Sequence, residues 1–205
     1  MGSHHCANCK SNCCVHEYGG TFVTIQEAER IATALGMQID DVCAFVEDNG
    51  LKDEKDYNNF FNLRVEFNGK ILPLVYKKHI LILKKKQKKW ACPFLNEKGC
   101  RIPDIRPAYC HVFPFWFKVV NDKVVLFPMN APTKDMETCL VRKAHFNDRT
   151  HELMLKDIGE TKPGLLKILQ RYVEEIKQYQ DYAPLLYGGM LPSEAAERLR
   201  REKHL

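Results

Sequence analysis

Eight cysteines in this 205-residue chain have the residue type and spacing that bind metal ions. Residues 6–14 read CANCKSNCC and contain four of them, two of which are adjacent. Three more lie in the proline-bearing segment 92–110, and one follows in a later loop. Thiolates are the ligands that structural zinc and iron–sulfur clusters take most often. The candidate ligands are Cys6, Cys9, Cys13, Cys14, Cys92, Cys100, Cys110 and Cys139.

The spacing of the first four cysteines suggests how they would share metal. Cys6 and Cys9 are two residues apart, which lets both sulfurs turn toward one metal while the intervening N–H groups point at them. Cys13 and Cys14 are adjacent, and neighbouring side chains of an extended segment point in divergent directions. The pair therefore indicates two neighbouring metals, or one ligand beside a bystander, and the sequence leaves both open.

The later cysteines lie in segments that are typical of ligand loops. Prolines and a glycine interrupt residues 92–114, and such loops place ligands more often than they fill a core. Four early and four late thiols suffice for two four-thiolate sites. Because metal bonds can supply the order that such a segment lacks, we expect folding of residues 6–14 to be coupled to metal loading.

The ninth cysteine, Cys43, is interpreted differently. It shares an apolar helical stripe with Ile39, Val42 and Val46, and a cysteine in that setting behaves as a small hydrophobic residue. We therefore predict that Cys43 lies in the core and binds no metal.

The composition is that of an ordinary globular protein, with 45% hydrophobic and 28% charged residues. The sequence contains no run of the roughly 18 apolar residues that a membrane span needs, and no secretory signal is apparent. We expect a cytoplasmic protein without a membrane partner, in which reduced thiols favour metal over disulfides. Residues 1–5, MGSHH, resemble the remnant of an expression tag, so their histidines are given no role.

The formal charge of +5 is weak support for a nucleic-acid partner, because metal-bound thiolates would offset it. The strongest basic run is Lys84–Lys89, which we interpret as a solvated strand edge that discourages aggregation. The alternative is a dock for an acidic partner or a nucleic-acid backbone. The run lacks the interleaved aromatic residues that stack on bases, so nucleic acid is not expected.

Around the cysteines, the periodicity predicts an α+β fold: an N-terminal helix pair, a small antiparallel sheet and C-terminal helices. Thr24 and Glu27 form a capping box for a helix that Gly36 can close, and a second short helix is predicted over residues 40–50. Hairpins are predicted at Asn68-Gly69 and at residues 121–122, with a further strand over HILIL.

The C-terminal part of the chain is predicted to be helical. Helices are expected over residues 142–159, over the apolar stripe that follows Pro163, and over the final residues 193–205. We predict a cysteine-rich metal-binding domain over residues 1–141 and a helical extension over residues 142–205 that packs on it.

Taken together, these segments resemble the CxxCxxCC zinc- or iron-chelating domain family, whose members carry the label Fe–S oxidoreductase-like. The matching stretches are CANCKSNCC, FVTIQEAERIATALGMQIDDV, CPFLNEKGCRI and IRPAYCHVFPF, which span about residues 6–117. A larger relative, flagellin lysine N-methylase, has a similar signature, so the resemblance implies protein lysine methylation as one chemistry of the group. The sequence has no glycine-rich loop of the GxGxxG type for a methyl donor.

The resemblance also draws attention to Arg106 and His111 as candidates for binding the cofactor. Arg106 belongs to the matching RP pair, and we interpret it as an ion-pair partner or as a charge that offsets the thiolates. His111 stands where the family usually has arginine, and it either supplies an imidazole for metal or proton transfer or packs beside Phe113 and Phe115. His16 is a weaker candidate, as a ligand or as a donor to a thiolate. The chain also departs from the family in having three residues, not two, between Cys9 and the cysteine pair.

The function expected from the sequence is an iron–sulfur protein with one or two clusters, used for electron transfer or cluster-assisted modification of a partner macromolecule. A structural zinc-binding interaction protein and a metal carrier are the alternatives. No serine–histidine–aspartate order, phosphate loop or HExxH is present, so no catalytic residue is assigned and enzymatic activity is left open. The expected partner is a protein substrate or a redox protein.

Overall fold

A computed structural model describes residues 21–47, 64–84, 92–96, 99–128 and 151–202 of the chain. Helices and strands in these ranges make the predicted α+β class, which is thereby confirmed. The helices are α1 (Ile25–Leu35), α2 (Ile39–Val42), α3 (Ala108–Val112), α4 (Glu152–Asp157), α5 (Lys162–Tyr187) and α6 (Pro192–Glu202). None of these helices is long and apolar enough to cross a lipid bilayer.

The strands within the described ranges form three small sheets where the sequence predicted one. They are β1 (Cys43–Glu47), β2 (Arg64–Phe67), β3 (Lys70–Pro73), β4 (Val75–Tyr76), β5 (His79–Leu83), β6 (Leu95–Asn96), β7 (Gly99–Cys100), β8 (Phe115–Val120) and β9 (Lys123–Pro128). Their orders are β1-β5-β4, β3-β2-β8-β9 and β6-β7. Pairing is antiparallel except between β2 and β8, where Phe67 lies opposite Val119 in a parallel pair.

Helix α1 begins and ends as its sequence predicts. The Thr24 side chain accepts the backbone N–H of Glu27, and the Glu27 carboxylate accepts the backbone N–H of Thr24. Gly36 closes the helix in the left-handed conformation at φ 65° and donates its N–H to the last turn. The capping box therefore sets where the chain enters the helix, and it fixes one oxygen of Glu27 at that position.

Both predicted hairpins are present and their turns contact each other. Asn68 and Gly69 have φ of 47° and 80°, and Asn121 and Asp122 have φ of 51° and 58°, as two-residue hairpin turns require. The Asn68 side chain donates to Asp122 Oδ1 at 2.8 Å and accepts the Asp122 N–H at 3.2 Å. This reciprocal contact aligns the two hairpins at the point where β2 and β8 run in parallel.

The second predicted helix is wrong over most of its length. Only Ile39–Val42 is helical, and the chain then becomes strand β1, which pairs along its whole length with β5. The apolar sequence CAFVE suits either period, and pairing with HILIL decides in favour of the strand. Cys43 is nevertheless buried as predicted, with 1% of its surface exposed.

The long helix α5 is the central element of the packing. It includes the whole predicted apolar stripe, and its buried residues contact the helices and sheets of the N-terminal part. The helix predicted over residues 142–159 does not run through His151, which has a left-handed φ of 61° and precedes a helix beginning at Glu152. Residues 142–150, and with them the predicted domain boundary at residue 141, lie outside the described residues.

Candidate metal centre

Cys92 and Cys100 belong to one small hairpin. The carbonyl of Cys92 accepts the N–H of Leu95 at 3.1 Å, and Leu95 pairs with Cys100 across strands β6 and β7. Phe94 and Ile102 beside them are buried and anchor this hairpin to the core. Cys92 remains half-buried and Cys100 exposed, so the hairpin buries its apolar residues and leaves its sulfurs closer to the surface.

Cys110 lies on the five-residue helix α3. Pro107 precedes the helix, and its carbonyl accepts the N–H groups of Cys110 at 2.8 Å and of His111 at 3.2 Å. Ala108 and Val112 are buried, and Cys110 between them is half-buried. A helix this short is not stable by itself, so its position has to come from tertiary contacts.

Glu27 supplies the contact at the start of α3. Its Oε1 accepts the backbone N–H of Ala108 at 2.6 Å, while Oε2 accepts the N–H of Thr24 at 3.0 Å. The first N–H groups of a helix have no partner inside the helix, and the carboxylate provides one here. Burial, together with the charge of Glu175, raises the pKa of Glu27 to about 7, although the two backbone hydrogen bonds act against this shift.

Glu175 is the second acid in this buried group. The Thr24 hydroxyl donates to its Oε2 at 2.6 Å, and Arg30 donates to both carboxylate oxygens at 2.6 and 3.1 Å. The α5 helix is thereby bonded to the first turn of α1. Because Glu27 lies in the same turn, a continuous set of hydrogen bonds joins α5, α1 and the start of α3.

Glu160 holds the other side of the Cys110 helix. Arg106 donates from Nη2 to Glu160 Oε1 at 2.8 Å and to the carbonyl of Ile158 at 3.2 Å. His111 Nδ1 lies 2.5 Å from the same Oε1. Burial alone would raise the pKa of Glu160, but the hydrogen bonds from His111 and Arg106 outweigh it, and the pKa is lowered. Of the two interpretations of Arg106, the ion pair is present, with Glu160 as its partner, and a role beside the cofactor stays a prediction.

The contact with Glu160 defines the state of the His111 ring. Because its pKa is lowered, Glu160 acts as an anionic acceptor, and the 2.5 Å contact fits a His111 tautomer whose Nδ1 carries the hydrogen and donates it. Arg106 Nε also lies 3.2 Å from Nδ1, in a geometry that lets it donate to the other tautomer, in which Nδ1 carries no hydrogen. Metal-binding histidines characteristically hold a carboxylate at one ring nitrogen and ligate through the other. His111 has the first half of this arrangement, next to Cys110.

The described cysteines cannot form a complete site alone. Among the described ranges, no three histidine, cysteine, aspartate or glutamate side chains are grouped closely enough to hold a metal ion. The remaining predicted ligands lie outside the described residues, as does His16; these are Cys6, Cys9, Cys13, Cys14 and Cys139. A four-ligand centre on Cys92, Cys100 or Cys110 therefore needs ligands from those parts of the chain.

The chemistry of the described thiols still fits zinc or iron. Burial, followed by the charge of Asp40, raises the pKa of Cys43 to about 12, so this thiol stays protonated and is unsuited to metal. Cys92 lies just before a small hairpin, Cys100 in its second strand and Cys110 in a short helix, and all three are at least partly accessible. Thiols in that setting can lose a proton to a metal ion, which is the donor set both metals prefer.

The basic run is described only at its first residue. Lys84 donates its Nζ to the carbonyl of Asp40 at 3.0 Å and its backbone N–H to Val42 at 2.7 Å. Its side chain is exposed at the end of β5, and residues 85–89 lie outside the described residues. The solvated-edge interpretation of the run stays a prediction.

Sequence reasoning missed Glu160 and Glu175. Glu175 had a signal, because it falls in register with the apolar stripe that includes Leu165, Leu169 and Tyr172, where an acid needs a buried partner. Glu160 had none, since its partners Arg106 and His111 are about fifty residues away and nothing local marks the pairing.

A family model described as "Putative zinc- or iron-chelating domain", CxxCxxCC, matches residues 5–140. The chain belongs to the CxxCxxCC family. Membership confirms the resemblance and supports metal binding by the chain. No solved structure matches the chain. Glu160 and Glu175 lie beyond the part that matches the family, so the C-terminal helices of this CxxCxxCC chain provide contacts that the matched segment does not contain.

Proposed function

We propose that the protein holds one or two thiolate-ligated metal centres, iron–sulfur in composition, and uses them in electron transfer or in cluster-assisted modification of a partner macromolecule. The proposed ligands are the early cysteines, Cys6, Cys9, Cys13 and Cys14, and the late ones, Cys92, Cys100, Cys110 and Cys139. Family membership supports the metal, and the thiolate-rich donor set supports zinc or iron over harder cations.

The observation that carries the proposal is how α3 is held. Glu27 binds its first N–H group, and Glu160 binds Arg106 and His111 around it, yet Cys110 is not part of the packed core. Fixing a five-residue helix from both sides places one sulfur accurately at a partly accessible position. Accurate placement of ligands by buried neighbours is what a metal site requires.

Iron–sulfur is preferred to zinc because of Cys13 and Cys14. Adjacent thiolates that point in divergent directions reach two neighbouring metal atoms more easily than they share one ion, so the pair fits a polynuclear centre better than isolated zinc ions. An iron–sulfur cluster, when bound, supplies one-electron transfer at a potential that burial and hydrogen bonds to sulfur adjust. Arg106 and His111 would contribute by placing cationic or N–H-bearing groups beside the centre.

The test is the metal content of the full chain purified under argon. The proposal predicts brown protein with iron and acid-labile sulfide, and visible absorbance that disappears on loss of the cluster. Colourless protein with stoichiometric zinc would overturn the iron–sulfur assignment in favour of a structural zinc protein. A centre that gives up its metal to a mild chelator while the fold persists would indicate a carrier.

A further inference from the structure

Tyr172 of α5 has a buried hydroxyl whose partner the described residues do not supply. The residue is 1% exposed, and its ring packs between Phe22 at 6.2 Å and Phe117 at 6.0 Å, measured between ring centroids. The hydroxyl is inaccessible to solvent and makes no hydrogen bond to any described residue. A buried donor left in this state is costly and calls for an explanation.

The surroundings of this hydroxyl are acidic. Four ionisable groups lie within electrostatic range of it: Glu27, Tyr109, Glu175 and Cys110. Burial, followed by the charge of Glu27, raises the pKa of Tyr172 well above its usual value. Since a phenol hydroxyl donates one hydrogen and this one has no acceptor among the described residues, it is available as a donor to a neighbouring acceptor.

Among those four groups the two carboxylates already accept other donors, and Cys110 is the one that turns from a neutral thiol into an anionic acceptor when it ligates a metal. Both oxygens of Glu27 accept backbone N–H groups, and both oxygens of Glu175 accept side-chain donors. Helix α5 packs directly on α3, which carries Cys110. A thiolate that ligates a metal accepts further hydrogen bonds at its sulfur, and such bonds stabilise it.

We propose that the Tyr172 hydroxyl donates a hydrogen bond to the Sγ of Cys110 when that sulfur ligates a metal. This inference rests on the metal centre proposed above. Tyr172 is then a positioning residue: it stabilises the negative charge of the ligand and so favours the metal-bound thiolate over the protonated thiol. In an iron–sulfur centre the same bond raises the reduction potential, because it favours the more negative, reduced cluster.

The test compares Tyr172→Phe with Tyr179→Phe in the full chain. Tyr179 lies seven residues further along α5, and its hydroxyl is also buried without a hydrogen bond to a described residue, although it approaches the backbone of Leu81. Burial and the backbone of Leu81 are what shift the pKa of Tyr179, and none of the candidate metal ligands contributes to this shift. Each variant thus removes a hydroxyl oxygen from a tyrosine that is 1% exposed, so the two differ in surroundings and not in burial.

Zinc affinity is measured by titrating Zn²⁺ into the metal-free proteins against a competing chelator. Tyr172→Phe is expected to weaken binding about tenfold, the usual cost of losing a partner of a ligand, while Tyr179→Phe leaves it unchanged. The thermal midpoint of metal-free Tyr172→Phe should not fall, because the hydroxyl has no partner to lose there. In a Cys110→Ala background, Tyr172→Phe should have no further effect on affinity.

Three outcomes would overturn the inference. They are equal affinities for wild type and Tyr172→Phe, the same loss in Tyr179→Phe, and a lower thermal midpoint for metal-free Tyr172→Phe than for wild type. If the wild-type chain takes up no metal at all, the proposed function fails with it. That result is distinguishable, because it is read from the wild-type titration before any variant is compared.

Discussion

Glu27 and Glu160 both hold the Cys110 helix in place, and they do so in contrasting electrostatic surroundings. Glu27 binds the backbone at the start of α3 and faces a second acid, so burial and repulsion raise its pKa to about 7. Glu160 binds the side chains of Arg106 and His111, and despite burial its pKa is lowered. Both acids hold α3 in place, but Glu27 is close to its neutral form at neutral pH whereas Glu160 is ionised.

Because of this difference, the Glu27 and Glu160 contacts should respond differently to substitution and to pH. The Glu160 contact depends on charge, because removing the carboxylate leaves the mostly buried guanidinium of Arg106 with only neutral neighbours, the carbonyl of Ile158 and the ring of His111, in the described part of the chain. The Glu27 contact depends on shape and on acceptor oxygens, because charge is unfavourable there. Loss of the negative charge should therefore weaken the Glu160 contact, whereas the Glu27 contact should tolerate it.

The largest effect is expected from Glu160→Ala. This change leaves Arg106, whose side chain is 14% exposed, without its counterion and should lower the free energy of unfolding by about 3 kcal/mol. Urea denaturation measures it. The control is Glu174→Ala, which breaks an exposed ion pair with Lys177 and should cost no more than about 0.5 kcal/mol. Equal costs for the two variants would mean that burial of the Glu160 pair has no energetic consequence.

A pH series sharpens the comparison at Glu27. Its folded pKa of about 7 exceeds the ordinary value of 4.5, so the stability it contributes is complete below pH 4.5 and is lost as pH rises through 7. Glu27→Gln cannot ionise, so the stability of wild type relative to this variant should fall by roughly 3 kcal/mol between pH 4.5 and pH 8. Denaturation midpoints at five pH values would show it. Parallel stability curves for the two proteins would contradict the raised pKa.

The smallest effect concerns the threonine that connects the two acids at the Glu27 end. Thr24 accepts the N–H of Glu27 at 3.1 Å and donates to Glu175 at 2.6 Å, both in buried surroundings. Thr24→Ala should lower stability by about 1.5 kcal/mol. Thr161 caps α5 with a single exposed bond to Gly164, and Thr161→Ala should cost only about 0.5 kcal/mol. If a thermal scan showed a larger loss of stability for Thr161→Ala than for Thr24→Ala, the two buried hydrogen bonds of Thr24 would not contribute to stability as expected.

Local signals in the sequence predicted the elements that surround the site. The capping box located α1, Asn-Gly and Asn-Asp pairs located two hairpin turns, and a long apolar stripe located α5. Each is decided by neighbouring residues, so it can be read without the fold. Strand β1 could not be predicted in this way, because the apolar pattern of CAFVE fits a strand as well as a helix. Its partner strand, which decides between them, lies some 35 residues away.

Residue type and spacing predict Cys92, Cys100 and Cys110 as ligands, which stays a prediction, and an apolar register separates the buried Cys43 from them. The residues that hold α3 in place carried no such local signal. The contacts of Glu160 join residues about fifty positions apart, and no local pattern encodes such pairings. The sequence predicted the capping role of Glu27, which uses one carboxylate oxygen. The hydrogen bond of the other oxygen to α3 depends on tertiary structure and could not be predicted.

Metal binding by Cys110→Ala and Cys43→Ala, measured by elemental analysis of proteins purified under argon, tests the account most directly. We predict that Cys110→Ala loses metal relative to wild type, whereas Cys43→Ala keeps the wild-type metal content because its thiol belongs to the core. Unchanged metal in Cys110→Ala, or equal losses in both folded variants, would contradict the claim that the helix held by Glu27 and Glu160 presents a metal ligand.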